Sequence, residues 1–148
     1  MSNARLNPYT AAPKAVNAML ELSRFVENCG LERSLLELVK IRASQINGCA
    51  YCIHMHVKDA LKYGESEMRL HLLAAWRESS LYSARERAAL AWTEALTMLP
   101  DTAAPDADYT QLSQHFSPEE QVQLTLAITV INSWNRIAVG FRSQHPQE

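Results

Sequence analysis

Residues 32–64 read ERSLLELVKIRASQINGCAYCIHMHVKDALKYG, and this stretch is helical on both sides of one break. Before the break, Leu35, Leu38, Val39, Arg42 and Ile46 are spaced for one face of a helix over about Glu32 to Asn47. Asn47-Gly48 interrupts the pattern, since a glycine after an asparagine favours a turn. A second helix then starts at Cys49 and ends before Gly64. The two form a hairpin turning at Gly48.

Working outward, the same signals recur. Val16, Met19, Leu20, Leu22 and Val26 give an apolar face to a helix over about Lys14 to Asn28, with Gly30 placed to end it. A short helix is expected over about Ser66 to Trp76, and its Leu70, Leu72 and Leu73 are expected to leave apolar surface for an oligomer to cover. Ser83 with Glu86, and Ser117 with Glu120, have capping-box spacing and open helices to about Leu99 and through Val122–Val139. Residues 100–105 read as a loop, followed by a short helix from Asp106 to His115. No run combines β-branched residues with strict alternation. The expectation is an all-α bundle of about seven helices, with the cysteine pair at the N-terminus of the third. With 148 residues and 47% hydrophobic content, one domain over residues 1–148 has core enough to fold.

Charge and composition narrow the function. The formal net charge is −2, so neither nucleic acid nor a membrane surface is an expected partner. The first residues lack a signal-peptide type of apolar run, and no uncharged apolar stretch of about 18 residues occurs. A cytoplasmic location is expected. The three cysteines are Cys29, Cys49 and Cys52; in a reducing compartment a CxxC pair is redox-active or metal-binding rather than a scaffold disulfide.

The chemistry is carried by the skeleton E-x11-C-x2-C-x3-H, formed by Glu37, Cys49, Cys52 and His56. On one helix the cysteines and His56 fall at i, i+3 and i+7 and share a face. Residues three apart have Cα atoms roughly 5 to 6 Å apart, within the range of a disulfide. Cys49, in the first turn, gains from the helix dipole and by position alone is the more acidic thiol. His56, at i+4 from Cys52, can take the proton of that thiol. In the hairpin Glu37 lies one turn beyond His56, on the order of 4.5 Å along the axis, which favours a water-bridged bond over a direct one. Bland readings stand beside these. Glu37 could be a surface partner of Arg33 or Lys40. Cys49, Cys52 and His56 could hold structural zinc, although no second CxxC closes such a site, and the cysteines could be inert core residues. Haem attachment needs a histidine where Ile53 stands. His54, His71, His115 and His145 read as solvated or capping residues, and Cys29 as an unreactive helix-end residue.

The segment from Glu37 to His56 resembles the AhpD-like alkyl hydroperoxidases of the carboxymuconolactone decarboxylase superfamily, with the glutamate, both cysteines and the histidine at that family's spacing. The likeness is looser over Ser83 to Leu99 and over Asn132–Arg136. It implies an all-helical fold assembled as a homotrimer or hexamer, and reduction of organic hydroperoxides by a dithiol–disulfide cycle. It implies that Cys52 is the peroxidatic cysteine, Cys49 the resolving one, and Glu37–His56 a proton relay. An external dithiol or lipoyl-type reductant would reset the pair, with no metal, flavin or haem. These roles oppose the dipole reading; a relay ending at Cys52 outweighs a dipole contribution of at most about 2 kcal/mol. Tyr51 stands where the best-characterised peroxidase branch has histidine. That keeps a thiol–disulfide oxidoreductase as the rival, with a non-catalytic redox-sensing oligomeric module as a second alternative.

Overall fold

The computed structural model describes residues 3–146. Nine α-helices follow in chain order among these residues: α1 Pro8–Ala11, α2 Pro13–Glu27, α3 Arg33–Ile46, α4 Ala50–Lys62, α5 Glu67–Leu72, α6 Ala84–Thr97, α7 Leu99–Thr102, α8 Asp106–His115 and α9 Pro118–Phe141. A single 3-10 turn, Leu73–Ala75, extends α5. No strand occurs among the described residues. The all-α expectation holds, but the count of seven is corrected. The extra two, α1 and α7, are single turns with a proline in the first turn, and Asn7 caps α1 by accepting from the Tyr9 amide at 3.0 Å. A four-residue helix is too short for apolar periodicity to register, and for that reason residues 100–105 read as loop. The cysteine pair consequently opens the fourth helix, not the third.

α3 is the centre of the bundle and packs on α4, α6 and α9. The sequence suggested one buried face; instead every residue from Leu35 to Ile41 is buried. Two cores meet on it. Leu35, Leu36 and Val39 pack with Ala89, Leu124 and Ile128, whereas Leu38 and Ile41 pack with Ala60, Leu73 and Trp76. Each such leucine contributes about 1.5 to 3 kcal/mol by leaving water. Both expected capping boxes are formed, Ser83 with Glu86 and Ser117 with Glu120. Leu70 and Leu73 prove buried, so these leucines do not supply the apolar surface expected of them. Within α5 Met68 is the exposed large apolar side chain, and others lie elsewhere, among them Phe25, Met55 and Val122.

Burying α3 on all sides strands its polar residues, and each is answered. Arg42 donates to Glu94 of α6 at 2.8 Å, and Trp76 and Arg77 donate to the same carboxylate. Burial pushes the Glu94 carboxyl up, but the bonds from Arg77, Trp76 and Arg42 outweigh it, and the net shift is downward. A carboxylate depressed in the native state stabilises the fold above its unfolded pKa, about 4.3, and loses that contribution as pH falls through the lower native value. Glu94→Gln should therefore be clearly destabilised at pH 7, and the gap from wild type should narrow as the pH drops below about 4.3. Urea unfolding of both proteins across that range measures it; a gap independent of pH would contradict the assignment.

Candidate functional site

The turn between α3 and α4 is built to hold the cysteines. Gly48 takes φ 64°, a left-handed conformation that glycine adopts without strain. The Cys49 amide donates to the Ser44 carbonyl at 2.9 Å. Cys49 is the N-cap of α4, one position earlier than expected, and its Sγ accepts from the Cys52 amide at 3.3 Å. The two cysteines are joined as a disulfide with Cα atoms 5.3 Å apart, in the range the i, i+3 spacing predicted. They are 1% and 2% exposed.

A network of amides anchors this turn to α9. Asn47 Nδ2 donates to Asn132 Oδ1 at 3.0 Å and to Asn135 Oδ1 at 2.9 Å, and Asn135 Nδ2 donates to Ser44 Oγ at 2.9 Å. Ser44 Oγ in turn donates to the Lys40 carbonyl at 2.7 Å. Asn135 is buried, so each of these bonds replaces one to water. The stretch Asn132–Arg136, where the family likeness is looser, supplies part of this network. Trp134 and Asn135 belong to the site: Trp134 lines the cavity described below and donates to Ser23 at 2.8 Å. Arg136 is exposed and bonds back to Asn132.

The four residues singled out in the sequence are brought together. Glu37 Oε2 meets His56 Nδ1 at 2.9 Å, a direct bond where a water bridge was favoured. The hairpin brings the two helices closer than axial arithmetic alone suggested. Burial raises the Glu37 carboxyl, but the bond from His56 and the charge of Lys40 outweigh it and hold the group below its usual value. An ionised Glu37 accepts from Nδ1–H, which leaves Nε2 as the basic nitrogen of neutral His56. The alternative reading made Lys40 or Arg33 a surface partner of Glu37. Lys40 is buried, and its Nζ bonds Glu37 Oε1 at 3.0 Å and lies 3.9 Å from Glu27 Oε1. The missed signal was its position inside an apolar run on both sides, Leu38-Val39 and Ile41. Glu37, His56 and Asp59 have ligand-type atoms within 4.8 Å of one another, and the Lys40 ammonium pairs with Glu37 in the same cluster. Cys29 is half-buried against the main core and free. His54, expected to be solvated, is half-buried and stacks on His145 with ring centroids 5.3 Å apart.

A cavity of about 500 Å³ opens onto Cys52 and His56. Its walls are mainly apolar, from Leu20, Val26, Met55, Ile131, Trp134 and Ile137, with Lys40 and Glu27 also on its wall. Tyr51 and Cys52 line it; Cys49 does not. The N-terminal segment contributes Leu6 and Tyr9, and it is tied to the end of α9 by Arg5, whose amide donates to the Phe141 carbonyl at 3.0 Å.

Comparison with known proteins agrees with this geometry. Over 136 residues the chain is 42% identical to the uncharacterized protein YdfG of Bacillus subtilis, covering 92% of each. It shares 49% identity with a crystal structure of a protein of unknown function from Agrobacterium tumefaciens, proposed to be the antioxidant defence protein AhpD, with a TM-score of 0.97 over 99% of this chain and 100% of that one. The apo debrominase Bmp8 superposes with a TM-score of 0.84 over 93% of this chain and 74% of its own, at 20% identity, a likeness of fold alone. Residues 10–95 match the carboxymuconolactone decarboxylase family, and with the relatives above this makes the chain an AhpD-like member of that family.

Proposed function

We propose that the protein is a thiol-dependent peroxidase that reduces organic hydroperoxides through Cys52 and Cys49. The observation that carries this reading is the cavity onto which Cys52 and His56 open, with Glu37 bonded behind the imidazole. His56 Nε2 takes the proton of Cys52, one helical turn away, and Glu37 supports the imidazolium that results. The Cys52 thiolate attacks the terminal peroxide oxygen. The O–O bond breaks, Cys52 becomes the sulfenic acid, and the alkoxide takes up a proton and leaves as the alcohol. The Cys49 thiolate then attacks the sulfenic sulfur, the 49–52 bond forms as the S–O bond breaks, and the displaced hydroxide takes up a proton and departs as water. An external dithiol reopens the disulfide by exchange and is itself oxidised.

Several features favour this over the rivals. The cysteines are almost fully buried, which disfavours a folded protein's disulfide as substrate and favours a small molecule entering the cavity. The apolar wall suits an organic peroxide better than a highly hydrated one. The fold also serves a debrominase, so the reading rests on the residues and not on the fold. Cys52 faces the cavity and Cys49 sits behind it as the N-cap, which supports attack by Cys52 even though the dipole favours Cys49. No helix among the described residues is long and apolar enough to cross a membrane; a dithiol that must be returned to its reduced state suits the reducing cytoplasm. Exposed Phe25, Met55 and Val122 are apolar surface that a homotrimer or hexamer would cover.

The deciding assay is turnover of cumene hydroperoxide with dihydrolipoamide as donor. Wild type should cycle many times and Cys52→Ser should not. His56→Ala should lose about 10² to 10⁴ in rate, and Glu37→Gln a smaller but clear part. Cys49→Ser should react once and stop. A single stoichiometric oxidation of the wild type, with no cycling, would favour the sensor instead.

Iodoacetamide alkylation of the reduced protein across pH tests the assignment of the two thiols. Cys52 should titrate well below the free value of about 8.5, and His56→Ala should raise it. Should Cys49 prove the more acidic and faster thiol, with Cys52 indifferent to His56, the roles must be exchanged. Assembly is checked by light scattering at micromolar concentration, where a trimer or hexamer mass is expected and a monomer mass refutes it.

A further inference from the structure

Lys40 is a buried lysine that the proposed reaction does not use. We infer that it is a positioning residue of the relay, an internal cation that fixes which oxygen of Glu37 serves His56 and sets the charge of the group that acts on Cys52. The inference rests on the proposed thiol chemistry of Cys52 but not on the identity of the oxidant.

The geometry is that of a shared carboxylate. Glu37 has two oxygens, and each has a single cationic or proton-donating partner: Oε1 takes Lys40 Nζ at 3.0 Å and Oε2 takes His56 Nδ1 at 2.9 Å. Lys40 and Glu37 are 8% and 5% exposed. An ammonium at that depth is strongly unfavourable unless it is answered. It has Glu37 on its own helix and Glu27 from α2 at 3.9 Å, the latter half-exposed at the cavity rim. The charged and titratable groups around the pair are thus Glu27 from α2, His56 and Asp59 from α4, and Glu37 itself. With Oε1 engaged, Glu37 cannot rotate away from the imidazole, and its charge is divided between two partners. An ordinary surface pair would do neither, because solvent would screen it and leave both side chains mobile.

The sign of the effect follows from Coulomb's law. Removing a positive charge from a buried cluster makes every proton in it harder to lose, and removing a negative charge does the reverse. Lys40→Met should therefore raise the pH midpoint of Cys52 alkylation, and Glu27→Gln should lower it. A merely structural lysine would move neither, or would move both in the same direction.

The experiment measures iodoacetamide alkylation of Cys52 against pH in fully reduced wild type, Lys40→Met, Lys40→Arg and Glu27→Gln, with circular dichroism to establish folding. For Lys40→Met we expect an upward shift of about half a pH unit or more, equivalent to a roughly threefold or larger loss of rate on the low-pH limb. Lys40→Arg, which keeps the charge, should restore most of it, and Glu27→Gln should show a smaller downward shift. A folded Lys40→Met with the wild-type midpoint, or a Glu27→Gln shift upward, overturns the inference. If Lys40→Met does not fold, Glu27→Gln decides alone: a downward shift sustains the inference and an unmoved midpoint rejects it. Because alkylation needs no peroxide, failure of wild type to turn over cumene hydroperoxide would sink the peroxidase reading while leaving these shifts intact.

Discussion

A carboxylate can be taken out of water only if something answers its charge, and Glu37 is answered from two sides at once. Lys40 holds one oxygen from the same helix and His56 holds the other from the next. That single bond between helices does three things. It fixes α3 against α4 at the depth of the core, it sets the imidazole with Nδ1 inward, and it leaves Nε2 as the basic nitrogen. The rest of the bundle serves to make the burial possible. α6 and α9 close over the remaining sides of α3, and their own polar residues meet those α3 cannot expose, as Glu94 meets Arg42.

The two cysteines are three residues apart and equally buried, yet their surroundings differ. Cys49 lies at the end of the hairpin turn, with its amide on Ser44 and the Asn47–Asn135 network holding that turn against α9. Cys52 lies one step along the helix and faces the cavity. A thiol in a rigid turn suits a resolving role, because its position does not depend on a substrate. A thiol on a cavity wall suits attack. The helix dipole pulls the other way, and by the arithmetic of charge alone Cys49 would be the better thiolate. Access to the cavity, which comes from tertiary packing, is the counterweight, together with His56 one turn along the same helix as the proposed base.

Within the helices, local rules succeeded where the partners are near in sequence. The capping boxes at Ser83 and Ser117, the left-handed turn at Gly48 and the disulfide-compatible spacing of Cys49 and Cys52 each involve residues at most three positions apart. The readings failed where the partner is distant or the element is a single turn. Asn47 and Asn135 are 88 positions apart, and nothing in either segment announces the other. Lys40 looked like the exposed end of an i, i+3 pair because that spacing is the same on a surface helix and a buried one. The leucines of α5 looked like exposed surface because the wall that covers Leu70 and Leu73 includes Trp76 and Leu90, from a later turn and a later helix.

The sequence by itself determined the all-helical class, the hairpin around Gly48 and the set of Glu37, Cys49, Cys52 and His56, because helix periodicity, caps and short spacings are local properties of the chain. Only the tertiary structure decided which of those residues face a cavity, that Glu37 bonds His56 directly, and that Lys40 shares its charge. Those facts depend on which helices cover α3 and on how much water they exclude. Burial converts an ordinary surface pair into a paired internal charge, and burial is a property of the packed bundle rather than of any one segment.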